Sequence, residues 1–277
     1  MRAARGIRGL HTRIRNFISH IPAWKKPRAA VFLHIQKTAG TSIVDTARLF
    51  YPSDLVSHAD YMCLPFEEIN RRRFVSGHFG YSFARPLMAD RVSFTFLRNP
   101  LERLVSMYYF CRARDPAEYD IYRLARTHTF DEFLHLALRR EAGVSDMMYH
   151  SLWNHQAWQL AAGWAPLHGD HDDGNRLRAD GSSGLDEFGA AEIHDLAAAH
   201  LCEFDHIGFQ EDFENDSRTI FSALECRNPQ SLHHSNATAS RPRLVDLPQS
   251  TIEKMMKLTE IDREIYNIAW KQRKTMG

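Results

Sequence analysis

A short segment near the start of the chain combines a lysine, a glycine and several hydroxyl side chains. Gln36-Lys37-Thr38-Ala39-Gly40-Thr41-Ser42 follows an apolar run and precedes a stretch with helical spacing. Such a loop directs backbone N–H groups toward an anion at the start of the helix, and Lys37 adds a full positive charge. It is not a Walker A motif, which needs the lysine directly after its last glycine, whereas Lys37 precedes Gly40. We predict an anion site, with an ordinary strand–helix turn as the alternative.

A second basic group lies where another apolar run ends. Arg98 follows Val92–Leu97, and the residues after it resemble the start of a helix. Asn99 is suited to the N-cap and Glu102 to the third helical position, as in a capping box. Ser106 then lies about two turns into that helix. We therefore expect Arg98 at the carboxyl end of a strand and Ser106 in the helix that follows.

The elements that position these residues can be predicted from hydrophobic spacing. Short apolar runs bounded by turn residues predict the strands Ala29–Ile35, Phe74–Ser76, Val92–Leu97 and Phe204–Phe209. Helical spacing or capping signals predict the helices Ile43–Phe50, Pro100–Cys111, Phe130–Arg140, Ala190–Leu201, Asp212–Leu224 and Ser250–Trp270, the last opening on a second capping box at Ser250–Glu253. This alternation predicts an α/β fold, a three-layer sandwich with a central parallel sheet flanked by helices.

Composition and charge exclude several classes of protein. The chain has 277 residues, of which 44% are hydrophobic and 25% charged, as in an ordinary globular domain. Residues 1–28 carry eight basic side chains and no acid, so the remaining residues sum to −7. An acidic body argues against a nucleic-acid-binding protein. The four cysteines are scattered without a C-x-x-C pair, which argues against a zinc ribbon and favours reduced thiols.

Two regions fall outside the regular α/β pattern. The basic arm, residues 1–28, is compatible with a solvated tail, a contact with a membrane surface or polyanion, or an organelle transit peptide. The rest, residues 29–277, is predicted to form a single domain. Within it Gly163–Gly189 is rich in Gly, Asp and His and is predicted to be a surface loop excursion.

The two basic segments resemble motifs of sulfotransferases that use 3′-phosphoadenosine 5′-phosphosulfate (PAPS), most closely the heparan sulfate 2-O- and 6-O-sulfotransferases. His34–Ser42 resembles their 5′-phosphosulfate loop, and Phe96–Ser106 resembles their 3′-phosphate motif. The resemblance is close over residues 30–113 and looser over Phe204–Phe209 and the D-x-E-x-Y pattern of Ile261–Tyr266. It implies a P-loop-like sulfotransferase domain whose cofactor-binding residues are Lys37, Thr38, Ala39, Gly40, Thr41, Ser42, Arg98 and Ser106.

The resemblance also implies a catalytic histidine. His78, in Ser76-Gly77-His78-Phe79-Gly80-Tyr81, follows a predicted strand and matches the G-H-x-x-Y stretch that holds the catalytic histidine of the 2-O-sulfotransferases. A histidine with an ordinary pKa near ~6.5 suits a general base at neutral pH. A second histidine of those relatives is replaced by Ser76 here. His34 and Glu102 are the alternative bases, and Lys37 is expected to neutralise charge on the leaving phosphate.

These features together predict a PAPS-dependent carbohydrate O-sulfotransferase that needs no metal and releases adenosine 3′,5′-bisphosphate (PAP). The expected acceptor is a glycan, oligosaccharide or glycolipid, including lipid-linked or anionic forms. Because the membrane anchor of the Golgi relatives has no counterpart, we expect a cytoplasmic, bacterial-type enzyme, with residues 1–28 as a contact to the inner membrane face. The alternatives are a P-loop-like ATP-dependent kinase, which needs an acidic Mg²⁺ ligand, and a catalytically silent nucleotide- or glycan-binding protein.

Three tryptophans and two basic segments are further candidates for contact with the acceptor or the cofactor. Trp153, Trp158 and Trp164 are compatible with a sugar-stacking platform or with core packing. Arg71–Arg73 would either guide an anionic acceptor or form a solvated corner. The basic segment that closes over the cofactor in the relatives is matched poorly by Ser235–Arg243, so no cofactor role is predicted for it.

Overall fold

A parallel sheet forms the centre of the molecule. The computed structural model describes residues 26–139, 145–163, 189–226 and 241–276. The strands found there are β1 (Ala30–Leu33), β2 (Leu55–Val56), β3 (Phe74–Gly77), β4 (Val92–Leu97) and β5 (His206–Phe209). They form one sheet in the order β2-β3-β1-β4-β5, and every neighbouring pair is parallel. The predicted α/β fold is confirmed.

Helices cover both faces of this sheet. In chain order they are α1 (Gly40–Phe50), α2 (Phe66–Arg71), α3 (Tyr81–Met88), α4 (Pro100–Arg112), α5 (Asp120–Thr127), α6 (Phe130–Arg139), α7 (Asp146–Leu152), α8 (His155–Ala161), α9 (Ala190–Leu201), α10 (Phe213–Ala223), α11 (Gln249–Leu258) and α12 (Glu260–Met276). Short 3₁₀ turns lie at Asp60–Met62, Gln210–Asp212 and Leu244–Asp246.

The strands are apolar on both sides because both sides are covered. β1, β3 and β4 are buried along their whole length, as is usual for parallel strands between two helical layers. Val31 and Leu33 pack with α3, α8, α9 and α12, whereas Ala30 and Phe32 pack with α1 and α10. A third apolar cluster joins α4, α5, α6, α7 and α11 beside the sheet. The three-layer architecture therefore follows from the alternation of side chains along each strand.

The C-terminal region differs from the prediction of one final helix. It contains two helices, α11 and α12, which are separated at Thr259. The Oδ1 atom of Asn154 accepts the N–H groups of Ile261 and Asp262 at 2.9 and 3.2 Å, and the N–H of Asn154 donates to the carbonyl of Leu258 at 2.8 Å. Asn154 thus satisfies backbone groups that a continuous helix would pair internally.

The second predicted capping box is also wrong. Helix α11 begins at Gln249, one residue earlier than expected, and its N-cap residue is Pro248, which makes no side-chain cap. The Thr251 hydroxyl donates instead to Oδ1 of Asp131 at 2.7 Å. A tertiary contact between α11 and α6 has therefore taken the place of the local cap.

Arg28, the last residue of the predicted arm, contacts the rest of the chain. The N–H of Arg28 donates to the carbonyl of Leu224 at 2.9 Å, and the Tyr51 hydroxyl donates to the Arg28 carbonyl at 2.6 Å. Arg28 therefore belongs to the folded body. The earlier part of the arm, and residues 164–188 of the predicted excursion, lie outside the described residues. In the part of the chain that is described, no helix is long and apolar enough to span a bilayer.

Candidate active site

The predicted site residues meet at one edge of the sheet. Because all strands are parallel, their carboxyl ends share this edge, and the segments that follow them converge there. Residues 34–39 follow β1, His78 follows β3 and Arg98 follows β4. A further side chain, His58, arrives after the short edge strand β2. The site is therefore assembled from loops held in register by the sheet.

The loop of residues 36–42, here called the Lys37 loop, has an unusual backbone. Lys37 and Ala39 adopt left-handed φ values of 70° and 72°, a conformation that costs free energy in residues other than glycine. Helix α1 begins at Gly40, and its N-cap Ala39 provides no side-chain oxygen. The first N–H groups of α1 thus have no side-chain cap, and they lie at the positive end of the helix dipole.

Two residues fix the shape of the Lys37 loop. The hydroxyl of Thr38 donates to the carbonyl of Ile35 at 2.8 Å, so its proton stabilises the loop. A Cβ atom at Gly40 would lie 2.0 Å from the His34 ring, so only glycine fits there. Thr41 is half-buried in the first turn of α1 and Ser42 is buried. Backbone N–H groups and Lys37 are therefore the groups of the loop best suited to an anion.

Arg98 joins the two predicted anion-binding segments. Its Nη1 atom donates to the carbonyl of Lys37 at 3.2 Å, and its side chain is almost completely buried. Gln156 of α8 holds the Arg98 backbone on both sides, accepting from its N–H at 3.0 Å and donating to its carbonyl at 2.9 Å. The buried Nε atom of Arg98 has no hydrogen-bond partner among the described residues. A buried guanidinium with a spare donor is suited to an anionic ligand.

Positive charge accumulates around the Lys37 loop. Burial, and next the Arg98 guanidinium, lower the pKa of Lys37 to about 8, and Arg114 and Arg241 add to this effect. Burial, and next Arg241, lower the pKa of Arg98 to about 10. The Lys37 Nζ atom lies 4.0 Å from the centroid of the Phe110 ring. These cations repel one another, and a polyanion bound among them would relieve that repulsion.

The Arg98 segment begins its helix nearly as predicted. The Asn99 side chain accepts the N–H groups of Leu101 and Glu102, which confirms the N-cap. Glu102 does not complete the capping box; its carboxylate lies 3.7 Å from Nη2 of Arg98, and Glu211 accepts the Asn99 N–H instead. Glu102 thus moderates the charge of Arg98, which makes it a poor candidate for the base. Ser106 lies buried two turns into α4.

His78 is held in a defined tautomer. Its Nδ1 atom lies 2.9 Å from the carbonyl oxygen of His34. Because a carbonyl can only accept, Nδ1 carries the proton and Nε2 keeps its lone pair. Gln159 of α8 donates to the same carbonyl at 3.1 Å and to that of Phe79 at 2.9 Å, which ties the segments after β1 and β3 together. Burial lowers the pKa of His78 to about 4, so the ring is neutral at physiological pH.

His34, the alternative base, is a packing residue. It is 3% exposed, stacks on Phe32 with ring centroids 5.2 Å apart, and packs against Gly40. Burial, and next His78 and His58, hold its pKa well below the ordinary value. A ring enclosed in this way cannot reach an acceptor hydroxyl. His78, which is partly exposed, remains the better placed of the two.

A scan of protein-family models matches residues 25–268 to the model described as "Sulfotransferase family". The chain belongs to the sulfotransferase family. No curated protein matches it. Among solved structures it is similar to mouse sulfotransferase SULT7A1 complexed with PAP, at 13% identity and a TM-score of 0.37, over 86% of this chain and 66% of that one. The chain thus spans just under two thirds of that structure, and a likeness this distant gives no residue-by-residue correspondence.

Several residues of this sulfotransferase site were missed by sequence reasoning. His58 follows a two-residue strand that has no recognisable pattern, and Gln156 and Gln159 lie on the unpredicted helix α8. Their only signal is the three-residue spacing that puts both amides on one face of a helix. Arg241 belongs to the poorly matching segment Ser235–Arg243, yet its charge acts on both Lys37 and Arg98.

Other candidate residues lie away from the site. Arg71–Arg73 precede β3, so they lie at the amino edge of the sheet, opposite His78, and cannot guide an acceptor. Trp158 is buried in the core and stacks on His150, which excludes it from a sugar platform. Trp164 lies outside the described residues, and so do residues 235–240 of the basic segment Ser235–Arg243. Over the described ranges, no group of three or more His, Cys, Asp or Glu side chains is arranged to hold a metal ion.

Proposed function

We propose that this chain transfers a sulfuryl group from PAPS to a hydroxyl group of a carbohydrate acceptor. The observation that carries the proposal is the contact between Arg98 and the carbonyl of Lys37. This contact brings the two predicted anion-binding segments side by side. PAPS, which carries a 3′-phosphate and a 5′-phosphosulfate, needs two such segments in one site. Arg98 and Ser106 would bind the 3′-phosphate, and the Lys37 loop from Lys37 to Ser42 would bind the 5′ end.

The unpartnered groups of the site support a dianionic or more highly charged ligand. Among the described residues the buried Nε atom of Arg98 has no partner, Arg98 and Arg241 lower the pKa of Lys37, and Arg241 lowers the pKa of Arg98. An anion bound between them would pair the spare donor and reverse the mutual repulsion. Arg241 is therefore included in the proposed cofactor site, although no cofactor role was predicted for its segment.

The reaction needs a proton acceptor and stabilisation of the leaving group. The acceptor oxygen forms a bond to sulfur while the bond from sulfur to the phosphate oxygen breaks, and the hydroxyl proton passes to Nε2 of His78. The His34 carbonyl, which already accepts the Nδ1 proton, stabilises the imidazolium that results. Lys37 neutralises the charge that develops on the leaving phosphate.

A base with a pKa of about 4 is weak, yet it suits this reaction. An alcohol becomes strongly acidic once its oxygen begins to bond to sulfur, so a weak base can accept its proton late in the transfer. The same low pKa keeps Nε2 free of protons at every pH where the enzyme would work. Positioning and electrostatics then provide most of the catalysis.

The acceptor class is proposed from the sequences of the motifs His34–Ser42 and Phe96–Ser106, which are most similar to those of the carbohydrate sulfotransferases.

A screen with ³⁵S-labelled PAPS in EDTA, over glycans, lipid-linked oligosaccharides and small phenols, tests the proposal. We expect label in a carbohydrate, lost in His78→Ala and retained in His135→Ala, a control at an exposed histidine of α6. Binding of PAP without transfer would indicate a silent binding protein. Transfer of phosphate from ATP with Mg²⁺, but not of sulfate, would indicate a kinase.

A further inference from the structure

A third histidine, His58, lies beside the proposed base. Its ring centroid is 5.7 Å from that of His78 at an interplanar angle of 86°, and 5.3 Å from that of His34. The carbonyl of His58 accepts the N–H of His78 at 3.2 Å, so the segments after β2 and β3 are joined. His58 is partly exposed and has a left-handed φ of 54°. The fold thus holds two accessible imidazoles side by side.

The hydrogen bonds of Ser57 determine which nitrogen of His58 carries the proton. Nη2 of Arg48 donates to the Ser57 hydroxyl oxygen at 3.3 Å, and a guanidinium can only donate. Nδ1 of His58, 3.2 Å away, is the acceptor that the described residues offer to the Ser57 hydroxyl proton, so the hydroxyl donates to it. With Nδ1 accepting, the neutral ring carries its proton on Nε2. His58 therefore presents an N–H donor, whereas His78 presents a lone pair.

The charges around His58 favour the neutral ring. Burial, and next the cation of Arg48, lower its pKa, and the carboxylates of Asp60 and Asp45 oppose this only in part. Asp60 is occupied in accepting the Ser57 N–H at 3.1 Å, and Asp45 pairs with Arg48 at 2.9 Å. The donor and acceptor characters of the two rings therefore persist together at neutral pH.

We infer that His58 is an acceptor-binding residue: its Nε2–H donates to an oxygen on the carbon next to the hydroxyl that His78 deprotonates. The inference rests on the proposed function and narrows the acceptor class to vicinal diols and their ethers. With the ring centroids 5.7 Å apart, two adjacent oxygens of one acceptor would be divided between the rings, with one hydrogen bond of about 2.8 Å to each. An isolated hydroxyl would leave the donor of His58 unpaired.

The tautomers can be read directly in the free protein. Long-range ¹H–¹⁵N NMR of the ¹⁵N-histidine-labelled full chain at pH 7, assigned with His58→Gln and His78→Gln, distinguishes protonated from unprotonated ring nitrogens. We expect Nε2–H at His58 and Nδ1–H at His78. An Nδ1–H tautomer at His58 would overturn the inference while leaving the sulfuryl transfer of the proposed function intact.

Kinetics test the contact with the acceptor. The substrate is the sugar with the highest turnover in the labelled screen, compared with its analogue deoxygenated at the adjacent carbon. We expect His58→Ala to raise the acceptor KM about tenfold, the loss of one hydrogen bond, with the affinity for PAP unchanged. His58→Gln, which keeps an N–H donor, should recover most of this loss. With the deoxy analogue, which lacks the contacted oxygen, wild type and His58→Ala should have similar KM values.

The two proposals fail in different ways. Equal discrimination against the deoxy analogue by wild type and His58→Ala would show that His58 does not contact that oxygen and would overturn the inference alone. No transfer from PAPS to any acceptor by the wild type would remove the proposed function, and the acceptor role of His58 with it.

Discussion

At the scale of single residues, the proposed reaction assigns proton transfer and charge stabilisation to different side chains. His78 is held neutral by burial and oriented by the His34 carbonyl, and no carboxylate among the described residues is recorded as its partner. Lys37 and Arg98 are positive and gathered where a leaving phosphate would lie. The residue that accepts the proton and the residues that stabilise charge therefore make distinguishable contributions to pH dependence.

The lowered pKa of His78 determines how kcat/KM is expected to change at acid pH. Because its pKa is lowered to about 4, the base should stay unprotonated well below the ordinary histidine range. We expect kcat/KM for the acceptor to be flat from pH 7 to pH 5 and to fall only toward pH 4, with His78→Ala lower by about 10²–10⁴ and lacking this limb. A limb centred near ~6.5, the ordinary value, would contradict the burial argument.

The lowered pKa of Lys37 determines how the affinity for PAP is expected to change at alkaline pH. Its pKa of about 8 means that it is charged below that pH and neutral above it in the free protein. A bound anion raises the pKa, so the affinity for PAP should be constant below pH 8 and fall about tenfold per pH unit above it. Calorimetric titrations from pH 6.5 to 9.5 measure this. Lys37→Arg should remove the bend, since arginine stays charged; a bend that persists would assign it to another group.

At the scale of elements, the start of α1 depends on the close approach of His34 to Gly40. The predicted Cβ contact of 2.0 Å cannot be relieved without moving the ring or the loop. We expect Gly40→Ala to lower the free energy of unfolding by about 1–3 kcal/mol, the cost of overpacking, and to weaken PAP binding. Chemical denaturation and calorimetry measure these two effects.

Gly189→Ala is the matched control for this substitution. It adds the same methyl group where nothing lies within 4 Å, at the start of α9. The control should lower stability by no more than about 0.5–1 kcal/mol, because Gly is preferred to Ala at an N-cap, and should leave PAP binding unaltered. Equal losses in both variants would show that the packing of Gly40 on His34 has no special importance.

Much of the fold could be predicted because the longer elements carry their own signals. The strand Val92–Leu97 and the helix Ala190–Leu201 have the predicted bounds, and the other predicted elements, apart from the divided final helix, differ by a few residues. Elements such as β2, with two residues, are too short to show a period. The break at Thr259 could not be foreseen either, because it depends on Asn154, more than a hundred residues away in sequence.

The site was predictable to a similar degree. Lys37 and Arg98 lie at strand–helix junctions, where motif and local geometry agree, and the structure joins them. His58, Gln156 and Gln159 act through the tertiary arrangement of the sheet edge, which no local pattern encodes. Local patterns therefore pointed to Lys37 and Arg98, which the structure brings together, but not to the side chains that the fold places around them.

At the scale of the whole molecule, the charge distribution is uneven. Six of the eight basic residues in 1–28 precede residue 26, outside the described part of the chain, while the remaining body is acidic. We propose that the arm attracts the enzyme to an anionic surface that holds the acceptor, at about 1 kcal/mol per basic residue near that surface. The contact of Arg28 with the body shows where the arm can be removed without disturbing the fold.

Deleting residues 1–25 tests this attraction. Full-length protein should sediment with vesicles containing anionic phosphatidylserine at low salt and be released as salt rises, because screening shortens the Debye length to about 8 Å at physiological ionic strength. The shortened chain should not sediment, yet should keep its turnover on a small dissolved acceptor. Failure of the full-length protein to bind at low salt would leave the arm as a solvated tail.

The measurement that tests the central claim most directly is the binding of PAP to the whole chain in EDTA. If the Lys37 loop and the Arg98–Ser106 segment form one site, PAP at about 100 times its dissociation constant should stabilise the protein by roughly 2.7 kcal/mol, seen as a rise in Tm of about 5 °C or more. Adenosine 5′-phosphate, which lacks the 3′-phosphate, should stabilise it far less at the same concentration. Equal stabilisation by the two nucleotides would contradict the single site that Arg98 and Lys37 are argued to form.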